Sequence, residues 1–71
     1  MTDAAPVAQN AATRQRNLRE ANLALVLGHI ARAGSITRAE LATATGLTRV
    51  TVSGLVDELM AGGLVAEAAP V

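Results

Sequence analysis

The stretch ITRAELATATGLTRVTVSGLVDEL, residues 36–59, decides the fold of this chain. It opens with Thr37 followed three positions later by Glu40, which is the spacing of a capping box. In such a box each side chain accepts a hydrogen bond from the backbone N–H of the other residue, so a helix begins directly after the threonine. Apolar residues flank the box as a hydrophobic staple. The spacing predicts a helix over about 38–44.

A second cap signal lies a short distance downstream. Gly46 supplies the backbone freedom for a tight exit from the preceding helix, and Thr48 is the next residue suited to an N-cap. The apolar residues that follow recur at helical spacing, and Gly62-Gly63 stops the pattern. This indicates another helix over about 49–61, with an inward stripe formed by Val52, Leu55, Val56 and Leu59.

The link between these two helices is typical of a helix-turn-helix. Only Thr45, Gly46 and Leu47 separate the first helix from the cap of the second, and such a turn often contains glycine. Ala42 is small where the two helices must approach each other, and Val52 is apolar where the second helix needs an anchor. This spacing favours a helix-turn-helix over an arbitrary pair of helices.

Outward from this unit, an earlier helix is predicted over about 14–33. It has an apolar stripe of Leu23, Val26, Leu27 and Ile30, and Gly34 follows it as a stop. Apolar residues surround this helix at 23–27, so Leu25 is interpreted either as part of a surface that a second partner covers or as an ordinary exposed leucine. Residues 1–13 are small and polar and are interpreted as a flexible leader.

At the other end, residues 64–67 are interpreted as a short strand and 68–71 as a truncated wing tip. The predicted fold is mostly α: a three-helix winged helix-turn-helix over 14–67 with a partial β-wing.

Composition excludes several classes of protein. A chain of 71 residues is near the lower limit for independent folding, and without Phe, Trp or Tyr its core consists of Leu, Val, Ile and Ala. The absence of cysteine excludes a disulfide framework, a thiolate zinc site and a cysteine nucleophile. The single histidine, His29, has no second ligand at metal spacing. We therefore expect no enzyme activity, no metal and no cofactor.

The charge is neutral overall but unevenly distributed. The segment from Arg14 to Arg49 contains all six arginines and only two of the six acidic residues, which is compatible with one basic face. No apolar run is long enough to cross a bilayer, and the N-terminus does not resemble a signal peptide. A cytoplasmic location without membrane contact is expected.

The predicted second helix of the helix-turn-helix carries the candidate DNA-binding residues. Its first turn has no carboxylate, and a helix N-terminus with hydroxyls and an arginine attracts phosphate and fits the major groove. Arginine can pair with guanine or phosphate, the hydroxyls can bond phosphates or bases, valine can touch a thymine methyl and glycine permits close approach. The predicted DNA-binding residues are Thr48, Arg49, Val50, Thr51, Ser53 and Gly54, together with Arg38 from the basic segment.

Thr48 is also expected to act as the cap of this helix. Asp57 and Glu58 would be repelled by DNA, so they should lie away from the phosphates or face a partner.

The stretches LREANLALVL, ITRAELATATGLT, TVSGLVDEL and GGLVAE together resemble the N-terminal winged helix-turn-helix domain of ROK-family transcriptional regulators. The helix-turn-helix part alone also resembles MarR-type winged helices, and the lead-in Arg19–Asn22 favours ROK. The resemblance implies a repressor of sugar-utilisation genes that binds a double-stranded operator as a homodimer. It also implies a sugar effector bound only by a C-terminal kinase-like domain, which these residues do not contain. A fragment of a longer regulator is therefore expected.

A different class of function stays open beside DNA binding. Winged helices also serve as protein docking modules, and zero net charge, the acidic pair Asp57-Glu58 and the broad apolar surface of the predicted first helix suit that use. The two functions differ in their response to salt. Phosphate binding weakens steeply as salt rises, whereas docking through apolar surface weakens little.

Overall fold

The computed structural model describes the backbone of residues 7–68 and the side chains of 13–68. Three helices follow one another: α1 (Val7–Ala33), α2 (Arg38–Thr45) and α3 (Arg49–Ala61). Each helix packs against both of the others. The mostly helical fold and the predicted bounds of the second and third helices are confirmed.

The start of α1 differs from the prediction. The helix begins at Val7 and not near residue 14, so residues 7–13 are helical, and residues 1–6 of the predicted leader lie outside the described part. The segment has no apolar period, but Ala8, Ala11 and Ala12 are strong helix formers and no proline or glycine interrupts them. Intrinsic propensity therefore favours a helix here without an apolar period.

The core is small and wholly aliphatic. One stripe of α3 supplies most of it, and α1 and α2 each add a fully covered side chain: the buried residues are Val26, Leu41, Val52, Leu55, Val56 and Leu59. Burying one such side chain contributes about 1.5–3 kcal/mol to the free energy of unfolding. These six residues therefore hold the three helices together. The inward stripe predicted for α3 is confirmed.

The turn between α2 and α3 needs a glycine. Gly46 has φ +75°, a left-handed conformation that disfavours any residue with a Cβ, and its N–H donates to the carbonyl of Ala42 at 2.9 Å. The hydroxyl of Thr45 donates to the carbonyl of Leu41 at 2.7 Å and accepts from the N–H of Leu47 at 3.3 Å. Local hydrogen bonds thus close the turn that separates the two helices.

The expected wing strand is absent from residues 7–68. Residues 65–68 leave the end of α3 without forming a strand, and 69–71, most of the expected wing tip, lie outside the described residues. A strand exists only through hydrogen bonds to a neighbouring strand, and no partner strand lies within the described range. Residues 64–67 therefore do not form the predicted partial β-wing within the described range.

Candidate nucleic-acid interface

The outer face of α3 is formed by residues that the core does not use. Val50 is 84% exposed, whereas Val52, two residues later, is fully buried. Gly54 and Asp57 follow Val50 at i+4 and i+7, so these three residues lie along one line of the helix surface. An exposed valine at the start of a helix adds nothing to this core, which leaves it available to a partner.

The N-terminus of α3 is capped without using a negative charge. The Oγ1 of Thr48 accepts a hydrogen bond from the N–H of Thr51 at 3.1 Å, as expected for an N-cap. The Thr48 hydroxyl then donates to the Oγ1 of Thr51 at 2.9 Å. Thr51 is exposed, so its hydroxyl can also contact a group outside the chain. Because the first turn of α3 contains no acidic residue, its positive end is not neutralised locally.

Arg49 adds a positive charge to this end of α3. It is exposed, and no residue within 13–68 forms an ion pair or a hydrogen bond with its side chain. It borders a cleft of about 520 Å³ between the ends of the helices and the segment after α3, which Arg38, Ile36, Met60 and Val65 also line. The guanidinium is therefore accessible to an anion beside the capped helix end.

Ser53 and Gly54 occupy different positions on α3. Ser53 is half-buried, and its backbone carbonyl accepts a hydrogen bond from Nη1 of Arg38 at 3.3 Å. Gly54 is exposed, and a Cβ built on it would meet nothing within 4 Å apart from its chain neighbours and the nearby backbone of α3 itself. Packing within the described part of the chain thus does not require a glycine at 54, where alanine would be the better helix former.

The two carboxylates of α3 are both paired with arginines from other helices. Nε of Arg19 in α1 donates to Oε1 of Glu58 at 2.8 Å, and its Nη2 contacts the same oxygen. Nη1 of Arg38 in α2 lies 3.2 Å from Oδ1 of Asp57. Both carboxylates are thus paired within the chain, and Asp57 nevertheless lies on the outer line of α3 with Val50 and Gly54.

Arg38 occupies a different environment from that expected of a DNA contact. Besides Asp57 and the carbonyl of Ser53, its Nη2 lies 2.8 Å from Oε1 of Glu67, beyond the end of α3. The hydrogen bond to Glu67, together with that to Asp57 and the charges of both carboxylates, raises the pKa of Arg38 despite partial burial. These partners are 19 and 29 residues away in sequence, which is why no local spacing indicated the network.

Clusters of three metal-ligating side chains and membrane-spanning helices are both absent from the described residues 7–68. No three His, Cys, Asp or Glu side chains cluster there as metal ligands. None of the described helices combines the length and the hydropathy that a bilayer crossing needs.

The family relationship is established by one comparison. A sequence model of the MarR family matches residues 24–70, from the middle of α1 through the helix-turn-helix and beyond α3. Arg19–Asn22, the residues that favoured ROK, precede the matched range, so the match supports a winged helix-turn-helix and not the ROK assignment. No curated protein and no solved structure matches the chain. With most of its length covered by that family model, the chain belongs to the MarR family of winged-helix proteins.

Proposed function

We propose that this protein binds double-stranded DNA as a transcriptional regulator, with α3 in the major groove. The observation that carries the proposal is the end of α3, where an exposed arginine, two hydroxyls and an 84% exposed Val50 surround a helix N-terminus without a carboxylate. A helix end of this kind attracts phosphate, and an α-helix fits the major groove. Membership of the MarR family supports the same function.

The candidate contacts follow from the geometry of α3. Arg49 binds guanine or a phosphate, the exposed hydroxyl of Thr51 bonds a phosphate or a base, and Val50 packs on a thymine methyl. Gly54 allows the groove wall to approach the helix closely. Thr48 and Ser53 contribute at the edges of the surface, while the guanidinium of Arg38 is committed to Asp57 and Glu67.

The proposal has two finer features, which are binding as a dimer and regulation of sugar-utilisation genes. Two copies reading two half-sites would supply the buried surface that one small domain lacks. Repression of sugar-utilisation genes, and a sugar effector acting through a further domain, rest on the resemblance of Arg19–Asn22 and its surroundings to ROK regulators.

Selection from random duplex DNA tests the proposal. The 71-residue chain, immobilised at high density so that weak binding is retained, is compared at low salt with its Arg49→Ala variant. We expect the parent chain to enrich a short motif, and Arg49→Ala to weaken binding about 5- to 150-fold, the equivalent of about 1–3 kcal/mol for a lost base contact.

Arg16→Ala is the matched control. It removes the same charge from α1, one turn beyond Arg19, which contacts Glu58 toward the far end of α3. Its affinity should stay within about threefold of the parent. Equal losses for Arg49→Ala and Arg16→Ala, with no enriched motif, would contradict base reading by α3.

One observation favours docking to another protein as the second candidate. Leu18 and Leu25, seven residues apart on one face of α1, are 61% and 40% exposed, as expected for a surface that a partner covers. Salt distinguishes the two functions. DNA binding should weaken about ten- to a hundredfold between about 50 and about 200 mM salt, whereas apolar docking should change little.

A further inference from the structure

Asp57 stands where a DNA-binding helix should not carry a negative charge. It lies on the same outer line of α3 as Val50 and Gly54, and its side chain is 66% exposed. A carboxylate at this position, facing the groove walls, would meet two rows of phosphates. The proposed function therefore needs a feature that removes this repulsion.

Arg38 is placed to do so. It extends from the first turn of α2, and its side chain is only 33% exposed. Nη1 lies 3.2 Å from Oδ1 of Asp57 and 3.3 Å from the carbonyl oxygen of Ser53, and Nη2 lies 2.8 Å from Oε1 of Glu67. The guanidinium thus bridges α2, α3 and the segment after α3, with both Nη groups donating to partners within the chain.

We propose that Arg38 is a positioning residue for DNA binding: it neutralises Asp57 on the outer face of α3 and holds that carboxylate toward α2, so that α3 can enter the groove. This inference rests on the proposed function. It assigns Arg38 a role through Asp57 and not through a phosphate of its own. An exposed ion pair contributes little to folding, so the expected effect lies in affinity and not in stability.

A double-mutant cycle on DNA binding separates the two roles. The 71-residue chain is titrated at low salt with the duplex that the selection enriches, or with mixed-sequence duplex if none is enriched. If Arg38 acts through Asp57, Arg38→Ala weakens binding about tenfold and Asp57→Asn alone changes it less than about twofold. The double variant then recovers to within about threefold of the parent, because no carboxylate remains on the outer face of α3 and only Glu67, beyond the end of that helix, has lost its partner.

A direct phosphate contact by Arg38 gives a different pattern. Asp57→Asn then has the same effect with Arg38 present or absent, and the double variant remains well below the parent. Such additivity would overturn the inference while leaving DNA binding intact. A parent chain that binds no duplex at any salt concentration would overturn the proposed function, and the inference with it.

Two controls keep the cycle interpretable. Thermal unfolding of all four proteins should occur within a few degrees of the same Tm, and Arg38→Gln replaces Arg38→Ala if the smaller side chain disturbs folding. Arg16→Ala, which removes one positive charge from an arginine with no ion pair within 13–68, should show no rescue by Asp57→Asn.

Discussion

The N-termini of α2 and α3 begin alike and then differ. Each helix follows a threonine in extended conformation whose Oγ1 accepts the N–H of the residue three positions on. In α2 that residue is Glu40, whose Oε1 accepts the N–H of Thr37 at 2.9 Å. In α3 it is Thr51, which has no negative charge. One helix end is closed by its own carboxylate, and the other remains open to an external anion.

In two adjacent helices, this difference distinguishes a helix end that stabilises the fold from one that the proposal assigns to binding. The carboxylate in α2 satisfies a backbone donor and complements the helix dipole, so it serves stability. The same carboxylate in α3 would serve stability equally well, yet it would repel phosphate at the surface that the proposal assigns to DNA. On the proposed function, the absence of a carboxylate at 51 therefore favours binding.

Transferring the capping box to α3 should have the largest effect. Thr51→Glu places a carboxylate at the position that corresponds to Glu40, so we expect an equal or higher Tm and a loss of DNA affinity of about a hundredfold. Circular dichroism and a fluorescence titration with duplex DNA measure the two quantities. Thr51→Gln keeps the geometry of a capping box without the charge and should lose much less affinity. Unchanged affinity in Thr51→Glu would show that this helix end does not meet DNA.

A smaller effect is expected six residues after each cap. Gly54 in α3 and Thr43 in α2 are both exposed helix residues, so replacing either by alanine should stabilise the fold, by about 1 kcal/mol for Gly54→Ala and somewhat less for Thr43→Ala. Only Gly54→Ala should weaken DNA binding, by about tenfold, because its Cβ enters the space between α3 and the groove. Equal DNA affinity of the two variants would mean that Gly54 does not approach DNA.

The smallest effect concerns the pH dependence of the closed helix end. Hydrogen bonds from the backbone and side chain of Thr37 lower the pKa of Glu40 below its usual 4.5. The folded state therefore binds this proton less readily than the unfolded state. The resulting stability is present above about pH 4.5 and is lost as pH falls through the folded pKa.

Glu40→Gln measures this contribution, because glutamine preserves the capping box without a titrating group. The Tm advantage of the parent over Glu40→Gln should be largest near neutral pH and shrink in acid. Thr51→Gln introduces the same side chain at the open end without removing a carboxylate, so its Tm difference from the parent should not depend on pH. A parent advantage that grows on acidification would contradict the lowered pKa.

The parts of the structure that were predicted correctly depend on neighbours in sequence. Capping by Thr37 and Thr48, the turn at Gly46 and the buried stripe of α3 all follow from spacings of a few residues, which helical geometry converts directly into contacts. The start of α1 was missed because the apolar period was used as the criterion for a helix, whereas residues 7–13 have no such period and their alanines favour a helix by intrinsic propensity.

By itself, then, the sequence determined three helices, their caps, and which face of α3 is buried, because these depend on hydrogen bonds and periodicities within one or two turns. Only the tertiary structure decided that Arg38 joins Asp57 to Glu67 and that Arg19 reaches Glu58, since these pairs connect residues distant in sequence. It also decided against a strand after α3 within residues 7–68, because a strand depends on a partner. The neutralisation of Asp57 on the outer face of α3 consequently depends on the folded molecule, because only folding brings Arg38 beside it.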